Sequence, residues 1–240
     1  MALCGRSAVA RVIAIDGPAA SGKSSTAALV AERLGWAHLD SGALYRALTL
    51  AALDRLGEGV AGTEDGWPVQ RILALAEELP VRLVLLGRSF RPEVAGVDVA
   101  EAIRSERVTA HVSRVAALPA IRTWVNARQR EAVQAHADGV VVDGRDIGTV
   151  VFPDAPLKVF LTATPDERAR RRLSQRGQPQ DEHQVARESA ELAARDHADA
   201  SRPVAPLKPA DDAVLLDSTR LSLVEQVDQV VALAHQRFPG

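Results

Sequence analysis

The chain has 240 residues, 47% of them hydrophobic and 25% charged. That suits a single domain with modest insertions and the balance of an ordinary globular protein. A formal net charge of −2 gives no general attraction to nucleic acid or anionic lipid, so any anion binding must come from local clusters. Cys4 is the single cysteine, which excludes an internal disulfide and a thiolate metal cluster.

The amino terminus lacks an apolar h-region, and no stretch approaches the roughly 18 apolar residues of a membrane span. The expected setting is therefore the reducing cytoplasm. Positive charge is carried almost wholly by Arg, the lysines being Lys23, Lys158 and Lys208.

Strand-like and helix-like segments alternate, which predicts an α/β fold with a mostly parallel sheet. Val12–Ile15 is a short β-branched run that breaks into a Gly-containing loop. Residues 24–34 follow as an amphipathic helix ending at Gly35. Residues 43–56 read as a second helix, with Leu44, Leu48, Ala51 and Ala52 at helical spacing and Gly57 as the stop. The stretch 58–105 interrupts this rhythm. After a polar, Gly-rich opening it shows a helix near 69–79, then β-like runs at 81–86 and 90–99. A hairpin turn at Gly87-Arg88-Ser89 separates the runs, and the whole reads as an insertion standing beside the sheet. Val140–Val142 and Val159–Leu161 look like continuous buried strands of the kind parallel sheets use. Between the second of these and a last strand at Val214–Leu216 lies a second, Arg-rich insertion, 168–202. A helix from about Leu223 to Gln236 closes the chain.

The run Gly17-Pro18-Ala19-Ala20-Ser21-Gly22-Lys23-Ser24 fits the phosphate-loop pattern, and it has a β-branched strand before it and a helix after it. Glycines let backbone N–H groups wrap phosphates, and the helix N-terminus adds positive potential. Lys23 is then expected on the β- and γ-phosphates of a nucleotide, Ser24 on Mg²⁺, and Ser25 at the loop's end. No guanine-reading element accompanies it, so a GTPase is disfavoured. Two insertions in a compact chain suit a kinase whose lids close over small substrates.

Asp40-Ser41-Gly42-Ala43-Leu44-Tyr45-Arg46 lies where a second strand should end and a helix begin. Ser41 is placed to cap that helix, and Arg46 projects from its first turns, an arrangement that suits a phosphate. Asp143 ends the apolar run Val140–Val142, the placement of a residue near the Mg²⁺ shell. Arg145 and Asp146 follow at the same strand end, where open α/β sheets bind ligands. The two opposite charges could instead merely pair with each other.

The strings IDGPAASGKSS (15–25), LDSGALYRA (39–47) and DGRDIGTVVFPDAP (143–156), with the segment 195–207, together resemble bacterial cytidylate kinases. The likeness runs from about residue 12 to 235, in the family's order and approximate spacing. It implies a P-loop three-layer fold with a central parallel sheet. It also implies a nucleoside-monophosphate-binding insertion with a small antiparallel sheet (about 58–105) and a short lid (about 166–202). The core would be 12–57, 106–165 and 203–240.

By the same resemblance Ser113, Arg122 and Asp146 read cytosine, and Arg46, Arg145 and Arg195 surround the acceptor phosphate. Asp199 holds the ribose hydroxyls, Ser41 lies in the same pocket, and Arg202 is a further anion-facing arginine. Arg168, Arg171 and Arg172 resemble catalytic lid arginines. The chain departs from many relatives in reading Gly-Lys-Ser-Ser where they have Gly-Lys-Gly-Thr. It also carries Ala198 and Ala200 where some have arginines.

The expected activity is ATP-dependent, Mg²⁺-assisted phosphorylation of CMP and dCMP by a monomer, without a nucleic-acid or membrane partner. The alternatives are a P-loop kinase for another small acceptor, such as UMP or shikimate, and a nucleotide-binding regulatory ATPase.

Overall fold

The computed structural model describes residues 11–58, 67–136 and 138–239. Cys4 and most of the Gly-rich opening of the 58–105 stretch lie outside the described residues. In chain order the elements are β1 (Val12–Asp16), α1 (Lys23–Leu34), β2 (Ala37–Asp40) and α2 (Ser41–Leu56). Next come α3 (Val69–Glu78), β3 (Val81–Leu86), β4 (Ser89–Val94), β5 (Val97–Asp98), α4 (Glu106–Val115) and α5 (Pro119–Gln134). The chain continues with β6 (Val140–Gly144), β7 (Leu157–Thr162), α6 (Pro165–Gln175), α7 (Glu182–Ala200), β8 (Val214–Asp217) and α8 (Leu223–Arg237).

The sheet runs β3-β4-β2-β6-β1-β7-β8, and β2, β6, β1, β7 and β8 are all parallel. Both β1 and β6 are buried along their whole length. That explains why they read as unbroken β-branched runs rather than alternating ones. Within each strand the side chains still alternate between two apolar layers. Ile13, Ile15 and Val141 pack with α1 and α8 on one face. Val12, Ala14, Val140 and Val142 pack with Val133 of α5 and Ile147 on the other. Burying an Ile such as Ile13 or Ile15 fully contributes roughly 1.5–3 kcal/mol. A third cluster is built on α2, α3, α4 and α5.

Two expectations are corrected here. The β3–β4 hairpin is antiparallel, with a two-residue turn between Leu86 and Ser89, yet it does not stand apart from the sheet. Ser89 pairs with His38 of β2 in parallel, and the His38 backbone N–H donates to the Arg88 carbonyl at 2.8 Å. This covers the edge of β2 that would otherwise present unpaired backbone groups. The second correction concerns α2, whose N-cap is Asp40 and not Ser41. The Asp40 carboxylate accepts from Gly42 N at 2.9 Å, and the helix begins at Ser41.

Parallel register brings the strand ends together. Asp40 lies opposite Asp143, and Asp16 lies opposite Gly144. Three carboxylates therefore line the carboxyl edge of the sheet, beside the phosphate loop.

Candidate active site

The phosphate loop leaves β1 at Gly17, where a Cβ atom would sit 2.1 Å from the Leu161 carbonyl oxygen. Only glycine lets the chain pass this close to β7. Ala20 and Gly22 adopt left-handed backbone (φ 58° and 95°), and α1 starts at Lys23. Buried Lys23 donates from Nζ to the Pro18 carbonyl at 3.1 Å. Burial, with help from Arg145 and Arg195 and against Asp143 and Asp40, pulls its pKa down to about 7. Ala19, Ala20, Ser24 and Ser25 face the same cleft, whereas Ser21 is buried beneath the loop.

Ser24 Oγ donates to Asp143 Oδ2 at 2.5 Å, and the other carboxylate oxygen, Oδ1, meets His38 Nε2 at 2.8 Å. Burial alone would raise Asp143. The His38 ring and the Lys23 ammonium outweigh it and hold the carboxyl below its ordinary value. Burial also lifts Asp40, reinforced by the charge on Asp143. A hydroxyl and an ionised carboxylate in contact suit a hard cation such as Mg²⁺, which takes few protein ligands and keeps several waters. Among the described residues no group of three or more His, Cys, Asp or Glu forms a fuller metal cage. The donor set therefore fits a cation shared with a nucleotide, and Ser24 and Asp143 would be its protein side.

The cleft, about 420 Å³, extends from the loop to the first turn of α5, within the usual size range of small-molecule sites. Every residue assigned to the acceptor lines it: Ser41, Arg46, Ser113, Arg122, Arg145 and Asp146, together with Arg195, Asp199 and Arg202. At the far end Arg122 Nη2 is paired with Asp146 Oδ2, both side chains being buried. Arg122 also donates to the Ala116 carbonyl at 3.0 Å, and its guanidinium lies 5.5 Å from the centre of the Tyr45 ring. Burial opposes the charge on Arg122, but Asp146 and Tyr45 more than compensate and raise it.

Arg145 does not pair with its neighbour Asp146. It donates to Asp199 Oδ2 at 3.0 Å, and Arg202 contacts Asp199 Oδ1. Adjacent residues at one strand end thus take different partners within the cleft. Arg46 is held by the Ile103 carbonyl (3.1 Å) and Thr109 Oγ1 (3.0 Å). Arg195 Nε is buried without a hydrogen-bond partner among the described residues. Burial, and then the neighbouring Arg145, lower Arg195 to about 10. A set of cations that depress one another in this way is a strong anion attractor.

The three lid arginines part company. Arg172 lines the cleft and is held by Glu188 of α7 at 2.8 Å. Arg168 shares that α7-facing side, but it is buried against Asp196 and donates to the Ala19 carbonyl at 3.2 Å. Arg171 turns to Ser21 and Ser218, donating to the Ser218 carbonyl at 2.6 Å. These last two clamp the outside of the phosphate loop rather than face its interior.

Several site residues had not been singled out from the sequence. Asp196 accepts from Ala19 N at 3.0 Å and so ties α7 to the loop. Asp16 receives the backbone N–H groups of Ile147 and Gly148 at 2.9 and 2.8 Å. Tyr45 and His38 are the others. Tyr45, Asp16 and Asp196 each sat inside or beside a recognised string, but nothing local marked their partners, and His38 carried no motif at all.

Comparison with known proteins agrees with this geometry. A family model described as cytidylate kinase matches residues 13–236. A cytidylate kinase of Stutzerimonas stutzeri is 48% identical over 223 residues, covering 92% of this chain and 93% of the relative. A cytidylate kinase of Pseudomonas aeruginosa is 47% identical over 225 residues, covering 92% and 93%. Another, of Pseudomonas syringae pv. tomato, is 47% identical over 223 residues, covering 93% and 94%. With the phosphate loop, the buried Arg122–Asp146 pair and a match over nearly its whole length, the chain belongs to the cytidylate kinase family.

Proposed function

We propose that this protein transfers the γ-phosphoryl group of ATP to the α-phosphate of CMP or dCMP, giving the diphosphate and ADP. The observation that carries this reading is the buried Arg122–Asp146 pair at one end of a cleft whose other end is the Lys23 loop. Cytosine offers an N4 amino donor beside N3 and O2 acceptors. Asp146 accepts from N4, Arg122 donates to N3 or O2, and Ser113 lies on the same wall. Uracil would set its O4 against the carboxylate. A mismatched buried polar group costs about 1–3 kcal/mol, so cytosine is favoured by roughly tenfold or more.

Arg46, Arg145, Arg195 and Arg202 neutralise the acceptor phosphate, and Asp199, held by two of them, takes the ribose hydroxyls. Ser41 completes that pocket. The loop N–H groups and Lys23 hold the β- and γ-phosphates. Ser24 and Asp143 would hold Mg²⁺ on the protein side, and the ion would supply charge neutralisation there. Arg172 adds charge from the lid, while Arg168 and Arg171 hold the loop in shape.

The acceptor is already an anionic phosphate oxygen, so no protein general base is needed. Catalysis rests on alignment and neutralisation of charge. The stretch 58–105 serves as the monophosphate-binding insertion and 166–202 as the lid. Because one chain supplies every group named, a monomer suffices.

The test is an ADP-release assay with ATP and Mg²⁺ against CMP, dCMP, UMP, AMP and shikimate. Turnover highest with CMP and dCMP is expected. A different preferred acceptor would overturn the roles of Arg122 and Asp146, and acceptor-independent hydrolysis would overturn the kinase reading.

A further inference from the structure

We propose that His38 is a positioning residue for the cation shell, fixing one oxygen of Asp143 so that the other is presented beside Ser24. The proposal rests on the reading of Ser24 and Asp143 as the protein side of a Mg²⁺ site.

β2 alternates buried Ala37 and Leu39 with partly buried His38 and Asp40. Ala37 and Leu39 face the layer of α5. His38 and Asp40 must therefore point to the opposite face of the sheet, toward α1. There the strand neighbours Ile13, Ile15 and Val141 are apolar, and an aliphatic residue would pack more cheaply than an imidazole. Among the described residues the imidazole bonds to Asp143 Oδ1, at 2.8 Å. An ionised carboxylate only accepts, so Nε2 carries the hydrogen and donates.

Asp143 therefore has one oxygen committed to His38 and one to Ser24 Oγ at 2.5 Å. The carboxylate cannot rotate without losing both bonds. His38 is itself held from behind, as the β2 residue paired with Ser89 and the donor to the Arg88 carbonyl. The β3–β4 hairpin, the imidazole, the carboxylate and the loop serine thus form one connected path. Removing an outer partner of this kind typically costs 10- to 100-fold in metal affinity.

The experiment compares His38→Leu and His38→Gln with the parent protein. ATP affinity is measured by titration calorimetry with excess MgCl₂ and again with EDTA, alongside a Mg²⁺ titration of CMP turnover. The His38→Leu variant should bind ATP as the parent does in EDTA, while the gain in affinity on adding Mg²⁺ shrinks by roughly tenfold. His38→Gln, whose amide still donates, should recover most of that gain.

An undiminished Mg²⁺-dependent gain in His38→Leu would overturn the proposal, and so would equal losses with and without Mg²⁺, which mark a merely structural role. Should His38→Leu not fold, a His38→Gln protein without any Mg²⁺ deficit beside a His38→Asn protein equally free of one is the overturning result, because Asn is too short to reach Asp143. Failure of CMP as acceptor would sink the functional reading yet leave the calorimetric comparison standing.

Discussion

Arg122 on α5 and Asp146 after β6 are 24 positions apart in the chain and meet as a buried ion pair at one end of the cleft. Such a pair is a poor way to gain stability, because desolvating both charges offsets most of their attraction. On the proposed function it offers a bound base a fixed acceptor beside a fixed donor. Tyr45, packed on Arg122 and bonded to Asn126 at 3.4 Å, helps to keep that geometry rigid.

Replacing Asp146 with Asn keeps the shape and an acceptor for Arg122 but adds an amide donor. The CMP/UMP ratio of kcat/KM should fall by roughly tenfold, mostly through weaker CMP use. Steady-state kinetics with both acceptors checks it, and an unchanged ratio removes Asp146 from base selection. Arg122→Ala should instead destabilise the fold by about 3–5 kcal/mol, because it strands a buried carboxylate.

Lys23 makes a pH-linked prediction. Its pKa in the free protein lies near 7, lowered by burial and by Arg145, and polyphosphate beside it must raise that value. Between the two values nucleotide binding therefore takes up a proton. Calorimetry of ATP binding at pH 8, in buffers of different ionisation enthalpy, should show uptake approaching one proton. Lys23→Met should lose both the uptake and turnover while staying folded.

Asp16 carries the opposite kind of linkage. Burial raises it from 3.8 to about 6, against the two backbone donors that favour its ionised form. A carboxyl with a raised native pKa adds stability while protonated and loses that contribution as pH rises from the unfolded value through about 6. From pH 5 to 7.5 the loss is about 1 kcal/mol. Urea denaturation of the parent and of Asp16→Asn at both pH values should show their difference shifting by that amount, the parent losing ground at the higher pH.

Two glycines should behave differently when replaced by Ala. At Gly17 the new Cβ meets the Leu161 backbone oxygen at 2.1 Å, a contact that cannot yield without moving β7. At Gly148 it meets the Lys158 side-chain stem at 3.0 Å, which need give by only a few tenths of an ångström. Gly17→Ala should abolish nucleotide binding and lower the melting temperature sharply. Gly148→Ala should change the melting temperature only slightly. Thermal melts with and without ATP distinguish them.

The signals that could be read along the chain were those set by local physics. The β-branched run of β1 announced a strand, and the unbroken apolar runs of β6 and β7 announced buried ones. The loop from Gly17 to Ser24 announced phosphate, because only a glycine-rich turn before a helix brings so many N–H groups to one point. The strings around Arg46, Arg145 and Asp199 singled out residues of two helices and one strand end that line one cleft.

What only the tertiary structure decided is partnership. Arg145 and Asp146 are neighbours, and sequence alone allowed them to pair; opposed side-chain directions at the end of β6 send one to Asp199 and the other to Arg122. Arg168 and Arg172 share a helix face as their spacing predicts, yet only Arg172 reaches the cleft, because α7 places Asp196 beside one and Glu188 beside the other. His38 had no motif, and its meaning came from a strand register that sets it next to Asp143 across 105 positions of chain. Periodicity and turn chemistry act over a few residues and so are written in the sequence. The choice of a charge's partner depends on burial and on which distant segment packs alongside, and the fold alone settles that.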